Sequence, residues 1–233
     1  MAGLTLDEAR ALVASVQHWH HAFEIYPGLQ TPGTYNPGDL WDKLSLGEDL
    51  RGLRALDVGA SDGFFSRNLR QRGADVVAVD YRDKTTNGFG VMERLYGEIF
   101  DYRRTNVYDL KPSELGTFDV ILFLGVLYHL PDMMGALARL RSLARGKIYI
   151  ESHSENEFCP NVAAARYYVH DTLNKDWTNF WSPNRLCLLD MIFDSGWDAV
   201  RDEAWDKRLL VEAVVNESPM RLRKLKIAYS FAD

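Results

Sequence analysis

Asp57, Asp62 and Asp80, with one glycine-rich bend, mark the most regular stretch of the chain. Asp57 lies in the apolar run Leu53, Ala55, Leu56 and Val58; Gly59-Ala60-Ser61-Asp62-Gly63 breaks that run. A short amphipathic segment follows, with Phe65 and Leu69 on one side and Gly73 placed to end it. Asp75 to Val79 form a second apolar run, closed by Asp80. The order strand, glycine turn, helix, strand, with a carboxylate about 20 residues past the turn, is the plan of a nucleotide site. Glycine lets backbone approach a ligand closely, and the terminal carboxylate can accept hydrogen bonds from ribose hydroxyls. The turn reads G-x-S-x-G rather than G-x-G-x-x-G, and Asp57 and Asp62 would set negative charge beside a diphosphate. A ligand with a sulfonium, an ammonium and a ribose diol suits these acids better, and S-adenosylmethionine is such a ligand. Two alternatives stay open: a dinucleotide, and an α/β-hydrolase with Ser61 on a nucleophile elbow. Against the hydrolase, this turn follows the first convincing strand instead of several, and Asp80 would have no task.

Further chemistry-bearing residues gather downstream. Phe118 to Gly125 form the strongest strand signal, and Leu124 and Gly125 end it where backbone could meet the methionine part of such a ligand. Tyr128 and His129 follow at the carboxyl end of that strand, the edge where open α/β sheets place ligands. His129 reads either as a base or, preferably, as a residue that orders its loop. A connection from His153 to Pro183 carries Tyr168, His170, Trp177 and Trp181 among other aromatic and ionisable residues, which points to a substrate pocket or to an ordered cap. If the methyl acceptor carries a proton, a base at hydrogen-bond reach helps. His153 is the first candidate and His170 the second, with Glu151 and Tyr128 able to orient either. His18-Trp19-His20-His21 lacks partner ligands at zinc-like spacing, so no metal is expected.

The elements that would hold these groups read as follows. Residues 5–17 form an amphipathic helix capped by Thr5. Residues 26–39 form a Pro- and Gly-punctuated loop containing Tyr35, a lid ahead of the first strand, and Trp41 and Lys43 close it. Asp101 to Val107 give a third strand, Pro131 opens a helix, Lys147 to Glu151 form the fifth strand, and Asn184 begins another helix. Trp197 to Ala204 and Arg208 to Val215 make a final antiparallel pair. The fold class is α/β: a doubly wound, Rossmann-like, seven-stranded, mostly parallel sheet, with helices on both faces and an antiparallel last strand. The expected division is an N-terminal helix and lid (1–50), a cofactor domain (51–216) with a substrate cap at 153–183, and a basic tail (217–233), an extra strand or a mobile arm.

The segments LDVGASDGFFS, VVAVD, FDVILFLGVLYHLPD and KIYIES resemble the successive motifs of class I S-adenosylmethionine-dependent methyltransferases. GVLYHLPD, TPGTYNPGDLWDKL and NFWSPNRL are similar, more narrowly, to the tRNA wobble-uridine (carboxymethoxyuridine-type) branch. The family's turn usually reads D-x-G-x-G-x-G, and Ser61 replaces its middle glycine. The resemblance implies that Lys43, with Trp41 nearby, meets the amino-acid end of the cofactor. It also implies that Asn106, Val107 and Tyr108 form the adenine-contacting turn, Asn106 standing where many members carry Asp. With Asp57, Gly59, Ser61, Gly63, Asp80, its neighbour Tyr81, Leu124, Gly125 and Tyr128, these residues make up the expected cofactor set. Tyr35, Trp41, His129, Tyr168, Trp177 and Trp181 make up the acceptor set. The branch includes a carboxylated cofactor; no cationic residue for that extra carboxylate is matched here, so ordinary S-adenosylmethionine is expected.

Twenty-seven basic against thirty-three acidic residues give a formal charge of −6, which disfavours polyanion binding by the whole surface. A small-molecule acceptor is therefore expected first and tRNA second, the basic tail serving as the RNA contact. No apolar run reaches membrane-spanning length, the N-terminus lacks the features of a signal peptide, and Cys159 and Cys187 form no paired motif; together these point to the cytoplasm.

Overall fold

The computed structural model describes residues 3–218 and 229. The first helix, α1 (Leu6–Ala14), starts where its cap dictates. The Thr5 hydroxyl accepts the Glu8 amide at 3.3 Å, and the Glu8 carboxylate accepts the Thr5 amide at 2.7 Å, so two otherwise orphaned donors satisfy each other. The segment expected as an irregular lid is more ordered than that. It holds a small hairpin of β1 (Glu24–Tyr26) and β2 (Leu29–Gln30), then α2 (Gly38–Lys43).

Next come β3 (Arg54–Val58), α3 (Phe64–Gln71), β4 (Asp75–Asp80), α4 (Phe89–Tyr96) and β5 (Asp101–Arg104). Then follow α5 (Pro112–Leu115), β6 (Phe118–Leu124), α6 (Met133–Ser142) and β7 (Ala144–His153). The cap contains β8 (Ala165–Tyr167) and β9 (Trp181–Pro183), and α7 (Arg185–Asp194), β10 (Trp197–Trp205) and β11 (Arg208–Val215) complete the described elements. Seven strands form one sheet in the order β10-β11-β7-β6-β3-β4-β5. β3–β4, β4–β5 and β6–β7 pair in parallel, whereas β11 runs antiparallel to both β7 and β10. This is the expected mostly parallel sheet with a reversed last strand.

Several boundaries shift for local reasons. β5 stops at Arg104, and Val107–Asp109 form a tight 3-10 turn instead of continuing the strand. α6 begins at Met133, not at Pro131, because the Asp132 carboxylate accepts the Gly135 amide at 2.8 Å and so fixes the N-cap. Asn184 caps α7 as expected, accepting the Cys187 amide at 2.9 Å. The proposed extra strand or arm in the tail lies, apart from residues 217, 218 and 229, outside the described residues.

By its internal contacts the chain divides into two compact units, Met1–Asn106 and Val107–Asp233. In the first, Leu56, Leu69, Val76, Ala78, Phe89 and Met92 are fully enclosed. α3 seats Phe64, Phe65 and Leu69 inward, and the Arg67 guanidinium lies over the rings of Phe23, Phe64 and Tyr96 at 4.8–5.6 Å. In the second, Ile121, Phe123, Ile148, Ile150, Val211 and Trp197 fill the interior. Among the described residues no helix is long and apolar enough to cross a membrane.

One glycine of the turn is irreplaceable on backbone grounds. Gly63 has φ +87°, and a Cβ there would lie 2.3 Å from the Met92 methyl and 3.2 Å from the Phe89 ring. Gly63→Ala is expected to lower the unfolding free energy by roughly 1–3 kcal/mol in urea denaturation, from combined backbone strain and overpacking.

Candidate functional site

In the first unit the glycine turn is fastened to the end of β4. The Gly59 and Ala60 amides both donate to the Val79 carbonyl, at 2.8 and 3.0 Å. Beside it the buried Asp80 carboxylate accepts the Ser61 amide at 3.0 Å and the Arg82 amide at 2.9 Å. The Arg82 guanidinium completes this corner, donating from Nε and Nη2 to the same carboxylate at 3.2 Å and from Nη2 to the Ser61 hydroxyl at 3.3 Å. Ser61 has φ +50°, a left-handed conformation that costs a non-glycine residue about 1 kcal/mol or more. That conformation explains the glycine usual at this position, and the Asp80 and Arg82 contacts offset the strain that serine adds. They also remove the hydrolase reading. The Ser61 hydroxyl is buried against a guanidinium, which stays protonated and cannot take a proton from a nucleophile.

Asp57 is buried in β3 and accepts the Ser66 hydroxyl at 2.6 Å. Burial pushes its pKa up to about 6, against the opposing Ser66 hydrogen bond and the influence of His21. Asp62, fully buried, takes the His21 amide at 2.8 Å and the His21 Nδ1 at 2.5 Å. The histidine segment therefore anchors to the glycine turn. His20 packs edge-on to His21, 4.6 Å between ring centres, and desolvation, then His21, lowers its pKa to about 4. Tyr35 is partly exposed, its ring 5.9 Å from that of His21. Trp41 is in a packing environment, with the Arg72 guanidinium 4.7 Å from its ring and Phe64 and Phe65 alongside. Lys43 ends α2 half-buried, Tyr81 is exposed with the Arg82 guanidinium 5.5 Å from its ring, and Asn106 is exposed past β5.

The second unit holds a separate polar cluster at the carboxyl ends of β6 and β7. Val107 is buried, and the Tyr108 hydroxyl donates to the Asp132 carbonyl and accepts its amide, at 3.0 and 3.1 Å. After Leu124, Gly125 turns the chain at φ +70° while its amide donates to the Glu151 carbonyl at 3.0 Å. Arg208 lies directly opposite His153 across the β7–β11 pairing, and Glu151 shares their face two residues away. Glu151 takes Arg208 in a fork, Nε to Oε1 and Nη2 to Oε2. The guanidinium sits 4.9 Å from the Tyr128 ring centre. Burial opposes the Arg208 charge, but Glu151 outweighs it and raises the guanidinium pKa, while burial also raises that of the Tyr128 phenol. His153 is buried, and its Nε2 has no hydrogen-bond partner among the described residues. Desolvation first, then Arg208, lowers its pKa to about 4.

His129 holds the cap, its Nδ1 lying 2.9 Å from the Thr178 hydroxyl and 3.1 Å from the Thr178 carbonyl oxygen. The preferred reading of His129 as a loop-ordering residue fits these contacts. Tyr168 is buried, and burial followed by Glu155 pushes its pKa up to about 12. Trp181 donates from its indole to the Pro131 carbonyl at 3.1 Å, whereas Trp177 is 69% exposed with His170 edge-on to it. His170 itself is exposed. Sequence reasoning did not single out Arg82, the His21–Asp62 pair or Arg208. Arg82, two residues past Asp80, was open to a local reading; the other two arise from pairings that only the folded chain creates.

The methyltransferase domain family matches residues 30–190, most of the chain. The chain belongs to that family. A ubiquinone biosynthesis O-methyltransferase of Hahella chejuensis is 28% identical over 143 residues, 59% of this chain and 60% of the relative. The chain thus matches about three-fifths of that relative's length. In fold it is similar to the N-terminal domain of EvdMO1, solved with S-adenosylhomocysteine and D-fucose (TM-score 0.68, 18% identity, 91% of this chain and 97% of that one). It is also similar to the 1,6-didemethyltoxoflavin-N1-methyltransferase of Burkholderia thailandensis (TM-score 0.56, 20% identity, 72% of each chain).

The methyltransferase domain's buried Asp57 generates a pH-dependent prediction. A carboxyl whose pKa is raised on folding favours the fold while protonated and loses that advantage as pH rises through the folded value, here about 6. Asp57→Asn should therefore be more stable than wild type at pH 8 by about 2–3 kcal/mol, and the gain should vanish near pH 4, measured by urea unfolding at both values.

Proposed function

We propose that this chain transfers the methyl group of S-adenosylmethionine to an oxygen or nitrogen atom of a small metabolite. The observation that carries the reading is a buried carboxylate, Asp80, hydrogen-bonded to the glycine turn of a methyltransferase domain. The residues fit the cofactor. Asp80 now accepts four hydrogen bonds, two of them from the Arg82 guanidinium, and a ribose diol would take the place of those two; Gly59 and Gly63 present backbone without side chains, and Asp57 and Asp62 supply negative potential for a cationic ligand. When bound, the cofactor supplies a methyl group already activated on a sulfonium. In the first unit, Asp80 would bind ribose beside Arg82, with Tyr81 and Asn106 toward adenine and Lys43 toward the amino-acid end. In the second, Val107 and Tyr108 would line adenine, and Leu124, Gly125 and Tyr128 the methionine part. The protein's remaining tasks are alignment, exclusion of water and acceptance of the acceptor's proton. His153 suits the last, being uncharged near neutral pH with its Nε2 uncommitted; His170, exposed on the cap, is the second candidate. For the acceptor, the second unit offers His129, Tyr168, Trp177 and Trp181, and the first offers Tyr35 and Trp41.

Support for a small-molecule acceptor comes from the relative named for O-methylation in ubiquinone biosynthesis, and from the acidic balance of the chain. The narrower likeness of GVLYHLPD and NFWSPNRL to the wobble-uridine branch favours a second reading, tRNA. A labelled-methyl screen separates the two. Label entering a small-metabolite pool supports the first, and label entering bulk tRNA, with binding that falls steeply as salt rises, supports the second.

Asp80→Ala is expected to weaken S-adenosylhomocysteine binding tenfold or more in calorimetry, a loss of about 1.4 kcal/mol or greater; wild-type affinity would remove its ribose role. His153→Ala should leave that affinity unchanged while cutting the rate of label transfer by about 100-fold or more.

A further inference from the structure

The Glu151–Arg208 pair is unexplained by the sheet it sits in. Glu151 is 2% exposed, and taking a carboxylate this far out of water costs several kcal/mol before its attraction to the part-exposed Arg208 repays it, so an apolar residue there would serve packing as well. Its placement is specific. The β7–β11 register sets Arg208 directly against His153, Glu151 locks the guanidinium with both oxygens, and Tyr128 provides the surface it lies on. At the centre of this arrangement is His153, buried, with an Nε2 that meets no partner among the described residues.

We propose that Arg208, clamped by Glu151 and laid on Tyr128, is a positioning residue that keeps His153 uncharged, with its Nε2 lone pair open to the hydroxyl of the acceptor. The proposal rests on the reading of His153 as proton acceptor in methyl transfer and names the acceptor class as a hydroxyl compound. The groups facing His153 are Arg208 and Lys207 from the last hairpin, Glu155 from the cap, the Tyr128 ring at 6.2 Å and Glu151 on its own strand. Glu151 is engaged by Arg208, and Glu155 by Arg166 and Lys207, at 3.4 and 3.8 Å. Cations thus oppose a second positive charge at the ring. The same cations repel a protonated amine and tolerate a hydroxyl or its oxyanion. Burial lowers the pKa of His153 first and Arg208 adds to that lowering, and so weak a base suits an acidic hydroxyl such as a phenol or enol better than an aliphatic alcohol. In the transfer, the acceptor oxygen gains the methyl carbon and gives its proton to Nε2. The electron pair of the broken carbon–sulfur bond stays on sulfur, and Nε2 returns the proton to water.

The test is an NMR pH titration of the full chain carrying isotope-labelled histidine, with the His153 signals assigned by their loss in His153→Gln. In wild type His153 should stay neutral to below pH 5, with an Nε2 nitrogen shift that marks the unprotonated nitrogen. In Arg208→Gln its midpoint should rise by a unit or more, and Arg208→Lys should hold it low. Should the lone Glu151 unfold Arg208→Gln, the double variant Glu151→Gln, Arg208→Gln leaves no unpaired charge and should show the same rise. A wild-type midpoint near 6.5, a protonated Nε2, or a midpoint indifferent to loss of Arg208 overturns the proposal. S-adenosylhomocysteine calorimetry on the same proteins separates the two levels. Wild-type binding with an unmoved His153 defeats the role of Arg208 alone, and absence of binding in wild type defeats the methyltransferase reading.

Discussion

The hydrogen bond from the Ser61 amide to the Asp80 carboxylate is the constraint on which the first unit's site depends. A carboxylate at the end of β4 is too costly to bury without donors. The turn after β3 supplies one at Ser61, Arg82 supplies its amide and its guanidinium, and the result fixes the bend in a conformation that serine alone would avoid. Gly63 completes the shape because its φ of +87° strains any residue with a side chain. The rigidity of the bend is therefore built from the same polar groups that, on the proposed reading, would contact the ligand. On the proposed reading a ribose diol would compete with Arg82 for Asp80, which would make the arginine part of the cofactor environment.

The N-terminal segment is tied to this bend by a second buried contact. Asp62, next to Ser61, receives both a backbone amide and a ring nitrogen from His21, and the Thr31 hydroxyl donates to the His21 carbonyl oxygen at 2.7 Å. What reads in sequence as a lid is, over these residues, a structured flank of the glycine turn. In the second unit the logic repeats with different parts. Glu151 and Arg208 form the fixed frame, Tyr128 lies under it, and His153 is buried with an Nε2 that meets no partner among the described residues.

The strand–turn–helix–strand from Leu53 to Asp80 was legible because each piece is local: apolar runs of strand length, glycines at the bend, and a carboxylate at a fixed offset. The caps at Thr5 and Asn184 were legible for the same reason, since both act on amides within three residues. The α6 start was misplaced by two residues because proline and aspartate compete as start signals, and the aspartate carboxylate wins by reaching Gly135. Asp62 reads in sequence as a bare charge, unfriendly to a diphosphate and suited to a cationic ligand, because nothing local shows that His21, 41 residues earlier, lies beside it. Arg208 escaped notice for a related reason. Its partners Glu151 and His153 are set by the register of an antiparallel pairing, and a slip of one residue would have turned it to the other face.

The account rests on an adenosyl methyl donor held at the glycine turn, and a crystal structure of the protein grown with S-adenosylhomocysteine tests it most directly. It predicts adenosyl density at the Gly59–Gly63 bend, with ribose hydroxyls at hydrogen-bond distance from Asp80. Density elsewhere on the chain, or an untouched Asp80–Arg82 corner in crystals soaked to saturation, would contradict it.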